Sequence, residues 1–315
     1  MRLPSAAGHV LVVGSAGLDI VGRPRDSLQA GSSTPGILRT SFGGVGRNVA
    51  ENLARLGADV VLITAVGDDD DGRRLLEHAS AAGVNTQHAL RVPGQATGAY
   101  LAVLDEQGTL HFALDDMRVV ENLTPEVVRD CRDLFRGAAT VFVDANLPPR
   151  TLAAAVTLAR RFEVPVAADP ASVALAPRLA PLLADIWLLT CNDSEVLALC
   201  PELLPDSSRA AASTIEGPRM LIGKGVGLAI VAMAVAGVSY ATAEISGNVP
   251  ALQVDVVDPT GAGDALSAAV IFGLLNDIPL DESVRLGVSA AAVTLQTRGT
   301  VVPDLSLELL YEQLR

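Results

Sequence analysis

Close to the C-terminus the chain reads Asp258-Pro259-Thr260-Gly261-Ala262-Gly263-Asp264 and runs on into the apolar stretch Ala265–Leu275. A glycine-rich turn that opens a helix leaves backbone N–H groups free, and the helix dipole adds partial positive charge, so such a turn is an anion site. Asp264 sits beside it in the first helical turn. A carboxylate there can accept a hydroxyl proton while the amides of Gly261, Ala262 and Gly263 hold the charge of a transferring phosphoryl group. The same residues also read as a tight turn with a helix cap, and local physics leaves both readings open. The apolar helix behind them, anchored in a core, favours chemistry. A second glycine-rich turn, Gly43-Gly44-Val45-Gly46-Arg47-Asn48, precedes another helical pattern; by itself it is a weak signal. The turn before Asp264 is not a Walker A loop, because no Gly-Lys-Ser/Thr closes it.

Other reactive residue types carry less. His9, His78, His88 and His111 show no metal-ligand spacing and read as structural or surface residues. Cys191 has no histidine near it in sequence and reads as packing. The acids Asp68–Asp71 complement the start of a helix.

The elements that must position these residues alternate. Val10–Gly14, Asp59–Gly67, Thr140–Asn146, Val164–Asp169 and Ile186–Asn192 are short β-rich runs, and helical patterns such as Gly46–Leu56 and Asp69–Ala82 lie between them. This repetition predicts an α/β fold with a mainly parallel sheet and helices on both faces, and ligands at the carboxyl ends of its strands. Val254–Val257 is predicted as a strand feeding the turn before Asp264. Cys200–Pro218 is expected to be a loop with a short helix. Two segments break the alternation. Residues 21–42 are rich in Gly, Pro and Ser, and residues 89–116 carry Gly98–Leu104 and Thr109–Leu114 around Glu106-Gln107-Gly108, a hairpin signal. Together they predict a small sheet standing off a core made of residues 1–20, 43–88 and 117–315; surface loops are the plainer reading.

Composition bounds the rest. The chain has 315 residues, 50% of them hydrophobic and 19% charged, with 23 Lys plus Arg against 36 Asp plus Glu and a formal charge of −13. It is too apolar to be disordered. It has no basic stripe to neutralise phosphates, so nucleic acid is not an expected partner. Three cysteines suit a reducing, cytoplasmic compartment rather than a disulfide framework. The N-terminus has no long apolar run. Leu228–Val238 and Ala265–Leu275 fall short of the roughly 20 residues that span a bilayer, so no membrane partner is expected.

Residues 258–264 resemble the C-terminal signature of the PfkB (ribokinase-like) carbohydrate and nucleoside kinases, and Gly43–Gly57 (GGVGRNVAENLARLG) resembles that family's N-terminal signature. Gly14–Asp19 is similar to its first strand and substrate-binding acid. The resemblance covers about residues 9–312. It implies a three-layer α/β/α ribokinase-like fold with a β-sheet lid, transfer of the ATP γ-phosphoryl group to a primary hydroxyl, and a small sugar or nucleoside as substrate. It also implies roles: Asp264 as base, Gly261, Ala262 and Gly263 as anion hole, Asp19 with Gly43, Gly44 and Asn48 around the sugar. Asn192 and Glu195 match the family's Asn-x-x-Glu motif for Mg²⁺ and phosphates, with Asp169 in the outer shell. Asp258 and the Arg298-Gly299 turn fall where relatives hold a monovalent cation such as K⁺. The lid's Leu101, Val103, Phe112 and Leu114 supply a face for a homodimer, or pack on the body.

Within the family, Gly43–Asn48, Asp115-Asp116-Met117, Val143–Asn146 and Asp169-Pro170 resemble most the bacterial pseudouridine-kinase branch, which implies 5′-phosphorylation of pseudouridine. Kinases of ribose, fructose or adenosine, and a nucleoside-binding relative without turnover, are the alternatives. The nucleotide segment departs from the pattern. Leu221–Gly227 lacks the usual Thr or Ser, Lys224, Gly225 and Gly227 are its candidate phosphate contacts, and Ser289 stands in place of the frequent adenine-side Asn.

Overall fold

The computed structural model describes residues 8–29, 31–107, 110–200 and 215–315. Gly108 and Thr109 of the hairpin, and most of Cys200–Pro218, lie outside the described residues.

The strands are β1 (His9–Val13), β2 (Gly17–Pro24), β3 (Gly36–Gly43), β4 (Val60–Ile63), β5 (Ala65–Gly67), β6 (Val84–Asn85), β7 (Leu90–Val92), β8 (Gly98–Leu104), β9 (Leu110–Asp116), β10 (Ala138–Asp144), β11 (Val166–Asp169), β12 (Leu188–Asn192), β13 (Leu228–Ala232), β14 (Val238–Thr242) and β15 (Ser246–Val249). The α-helices are α1 (Val45–Arg55), α2 (Asp70–Ala81), α3 (Pro125–Asp130), α4 (Arg132–Arg136), α5 (Pro149–Arg161), α6 (Asp193–Leu199), α7 (Glu216–Gly223), α8 (Ala262–Leu275), α9 (Leu280–Leu295) and α10 (Leu307–Gln313).

Nine strands form one sheet in the order β15-β14-β13-β12-β11-β10-β1-β4-β6. Every pair from β13 to β6 is parallel, and β14 and β15 are antiparallel additions at one edge. The middle strands are apolar runs because both faces are covered. Leu11, Val13, Val141 and Val143 pack with α3 and α5 through Val128, Leu152 and Val156. Val10, Val12 and Phe142 face the other way, toward Val49 and Leu53 of α1 and Leu266 and Val270 of α8. Alternation along each strand thus produces three layers. The helix α8 is buried on nearly all sides, as its lack of a polar face requires. It therefore cannot slide, and its N-terminus is held in place.

A second sheet, β3-β2-β8-β9, stands apart. Asp19, Tyr100 and Asp115 are paired across β2, β8 and β9 and share one of its faces. Ile20, Leu101 and Leu114 share the other.

Two strand predictions change. Asp59–Gly67 is not one strand: β4 belongs to the large sheet, whereas β5 pairs with β7. The break is at Thr64, whose carbonyl accepts from the Leu90 N–H at 2.8 Å and so turns the chain toward β7. Val254–Val257 is not a sheet strand. The edge strand β15 already ends at Val249, and the Val257 and Asp258 N–H groups donate instead to the Leu295 carbonyl. β-branched residues alone do not make a strand when no partner edge is available. No helix among the described residues is long and apolar enough to cross a membrane.

Candidate active site

A cavity of about 330 Å³ opens at the carboxyl ends of the parallel strands. Ser15 follows β1, Asn146 follows β10, Asp169 ends β11, Asn192 ends β12 and Ala232 ends β13; all line it. From the second sheet come Asp19, Tyr100 and Asp115, and from the start of α8 come Gly261, Gly263 and Asp264. This is the edge where ligands collect in such sheets.

Local structure explains how each group arrives. Gly261 adopts φ +82°, and a side chain there would strike the Thr300 carbonyl; the turn can approach the C-terminal segment only through glycine. It aims the first amides of α8 at the cavity. Gly43 lies against the Asp19 carboxylate, where any Cβ would collide, so it gives that acid its room. Asn48 is buried in the first turns of α1 and donates from Nδ2 to Asp264 Oδ2 at 2.7 Å. Gly44 also lines the cavity.

The two acids resist ionisation. Burial pushes the Asp264 carboxyl up to about 7; the Asn48 hydrogen bond lowers it, and Asp19 and Asp144 raise it further. Burial likewise pushes Asp19 up to about 6, against the nearby Arg47 and with help from Asp258. A base whose value lies near the working pH is suited to proton transfer. Below them Asp144 accepts from the Ser15 N–H at 2.7 Å and from Asn146 Nδ2 at 2.9 Å, which ties the ends of β1 and β10 together.

Asp169 and Glu195 both line the cavity. Burial pushes both carboxyls up, and Asp169 is raised again by Glu195 and Asp264. A divalent cation relieves such like-charge crowding, and Mg²⁺ takes oxygen ligands while keeping waters; the donor set fits it. Among the described residues no three His, Cys, Asp or Glu side chains form a ready metal cage. Asn192 and Glu195 also form a capping box: Asn192 Oδ1 accepts from the Glu195 N–H, and Glu195 Oε2 accepts from the Asn192 N–H, both at 2.9 Å. Capping uses one oxygen of Glu195. Cys191 is buried, and burial with the neighbouring Glu195 and Asp169 holds its thiol well above the usual range, so it is no nucleophile.

Other sequence-based candidates fall elsewhere. Lys224, Gly225 and Gly227 do not reach the cavity. They follow α7 and precede β13, at the opposite edge of the sheet: the Gly227 N–H donates to the Ile186 carbonyl just before β12, and Gly225 lies against Ala184. The five residues of β13, at about 3.3 Å each, put some 16 Å between them and the ligand edge. The strand-and-turn that does reach it is Leu228–Gly237, where the Met233 N–H donates to the Gly237 carbonyl at 2.8 Å and Ala234 takes φ +48°. The topological rule that ligands gather after parallel strands was the signal for this segment. Ser289 is buried in α9 and donates to the Leu310 carbonyl at 2.7 Å, so it holds the C-terminal helix rather than a nucleotide. Asp258 accepts from the Thr260 N–H at 3.0 Å and shapes the turn. Sequence spacing gave no role to Arg47, Glu51 or Thr300, which stand directly behind Asn48; a charged residue inside a motif gives no sign of being buried.

Fold and site together define a sugar- or nucleoside-kinase architecture, and comparison with known proteins agrees. Residues 7–306 match the family model for "pfkB family carbohydrate kinase", and the chain belongs to that family. It is a phosphotransferase that acts on a sugar or nucleoside hydroxyl. It is 32% identical to the pseudouridine kinase of Escherichia coli, over 95% of this chain and 94% of that one. It is 29% identical to the guanosine-inosine kinase of Exiguobacterium acetylicum, over 94% and 97%. The fold matches a ribokinase from Arabidopsis thaliana solved with ribose and ATP, with a TM-score of 0.83, 22% identity, and 98% and 99% of the two chains covered.

Proposed function

We propose that the chain is an ATP- and Mg²⁺-dependent kinase that phosphorylates the 5′-hydroxyl of pseudouridine. The observation that carries this reading is the meeting of Asp19 and Asp264 in one cavity, with the Gly261–Gly263 amides beside the second acid. Asp19, with Gly43, Gly44 and Asn48 around it, holds the vicinal ribose hydroxyls. Asp264 takes the proton from the 5′-hydroxyl as the phosphoryl group arrives, and the amides at the start of α8 hold the transferred charge. Asp169 and Glu195 would hold Mg²⁺, which when bound would neutralise charge on the ATP phosphates. K⁺ beside Asp258 and the Arg298-Gly299 turn is part of the same reading; turnover in potassium against tetramethylammonium salts tests it.

The choice of pseudouridine rests on the 32% identity to a pseudouridine kinase and on one acid and one amide that also line the cavity, Asp115 and Asn146. A substrate panel with coupled ADP detection tests it. Pseudouridine is expected to exceed ribose, inosine and guanosine in kcat/KM; a clear preference for any of these replaces the substrate and keeps the reaction. The compartment we assign is the cytoplasm. The outward face of the second sheet, with Leu38, Val103 and Phe112 in one row and Ile20, Leu101 and Leu114 in the next, is proposed to pair two copies of the chain.

A further inference from the structure

Arg47 and Glu51 are 2% and 1% exposed and form an i, i+4 ion pair inside the protein. Such pairs add little to stability, because desolvation offsets the attraction. The contacts of this one point to another use. Arg47 Nη2 pairs with Glu51 Oε2. Arg47 Nη1 donates to Asn48 Oδ1 at 2.8 Å, to the Phe42 carbonyl at 2.9 Å and to Thr300 Oγ1 at 3.2 Å. Thr300 in turn donates to the Phe42 carbonyl at 2.7 Å. Arg55 holds the other oxygen of Glu51, Oε1, at 2.7 Å.

A guanidinium has donors and no acceptor. The end of the Asn48 amide that faces it is therefore the oxygen. That leaves the NH₂ end for Asp264, and the 2.7 Å bond runs in that direction. The reverse orientation would set donor against donor on one side and oxygen against carboxylate on the other. We propose that Arg47, braced by Glu51, is a positioning residue that locks the Asn48 amide and through it aims Asp264 at the acceptor hydroxyl. The same fork joins the last residues of β3, at Phe42, to Thr300, the residue packed under Gly261. One side chain thus ties the base of the second sheet, helix α1 and the turn that opens α8. The inference rests on the reading of Asp264 as base.

Charge follows the same geometry. Asp264 faces the ionisable groups Asp19 on β2, Asp144 on β10 and Asp169 on β11, and of the groups acting on it Arg47 is the cation. Arg47 itself faces Glu51 and Arg55 on α1, His78 on α2, Asp19 and Asp264. Arg47 favours the ionised base, and Glu51 weakens that effect.

The test is the pH dependence of kcat/KM and of kcat for Arg47→Gln, Arg47→Lys and Glu51→Gln, with pseudouridine and ATP, beside Asp264→Asn. Arg47→Gln is expected to move the acidic limb upward, with the loss at neutral pH falling on kcat more than on KM. Arg47→Lys restores the midpoint without the full rate, because an ammonium keeps the charge but not the fork. Glu51→Gln moves the limb the opposite way, downward. Opposed shifts report the two charges, and the loss of kcat in Arg47→Lys, which keeps the charge, reports the fork. A wild-type kcat in Arg47→Lys, or midpoints equal to wild type in both Arg47→Gln and Glu51→Gln, overturns the proposal. If Arg47→Gln does not fold, Arg47→Lys decides: a lowered kcat with KM kept and the midpoint unmoved supports the proposal, and a wild-type kcat sinks it. Full turnover in Asp264→Asn removes the base reading itself; an inactive Asp264→Asn with unmoved midpoints elsewhere removes only the role of Arg47.

Discussion

As the proposed base, Asp264 meets two opposed demands. It must be desolvated so that water does not compete for the phosphoryl group, yet it must ionise to accept a proton. Burial pushes it up to about 7, and Asn48 and Arg47 pull it back. Asp264→Asn keeps the size and the Asn48 contact but cannot accept the proton. It is expected to cut kcat by about 10² or more, with the nucleoside affinity nearly kept; turnover within a few-fold of wild type would exclude the assignment. The acidic limb of kcat/KM in the parent enzyme is expected near pH 7. The same shift governs stability. A carboxyl held above its ordinary value of 3.8 binds its proton more tightly in the folded chain than in the unfolded one. Stability therefore falls as the pH rises from that value through about 7, and is flat above. Thermal unfolding followed between pH 5 and 8 should show this decline, and Asp264→Asn should lessen it and raise Tm at pH 8. A variant that melts lower than its parent at pH 8 contradicts the burial argument.

At the scale of elements, the site depends on where turns can form. Gly261 is in the left-handed region against the Thr300 carbonyl, and the helix it opens is gripped by α9, where Gly287 lies against Leu266 and Val270. The turn after β13 is built differently. Ala234 holds φ +48°, a conformation that costs a residue with a Cβ roughly 1–2 kcal/mol. Ala234→Gly is expected to raise stability by about 0.5–1 kcal/mol once glycine's extra chain entropy is subtracted. Denaturant titration measures it; a loss of stability would show that the alanine methyl packs usefully in that turn.

At the scale of the molecule, the second sheet divides its residues by face. Asp19, Tyr100 and Asp115 look toward the cavity, and the opposite face carries apolar side chains, with Leu38 73% and Leu114 64% exposed. An exposed apolar face of this kind is a docking surface or an aggregation hazard. Leu38→Asp with Leu114→Asp is expected to halve the solution mass measured by light scattering. An unchanged mass, whether that of one chain or of two, removes the face from any dimer contact.

Much of this arrangement was legible in the order of residues. Apolar β-branched runs alternating with helical periods specify a parallel sheet covered on both sides, since nothing else buries such strands. Two glycine turns, each opening a helix, carry Asn48 and Asp264 within recognisable motifs. Other features followed only from folding. Whether Val254–Val257 is a strand depends on a free sheet edge, and β15 had ended before it. Whether Lys224 can meet a phosphate depends on which end of β13 it lies at, which direction and pairing decide. The packing of Arg47 against Asn48, Phe42 and Thr300 joins residues up to 253 positions apart, and no local period encodes that distance. Spacing along the chain sets which groups are available; burial and the partners brought in from remote segments set what those groups can do.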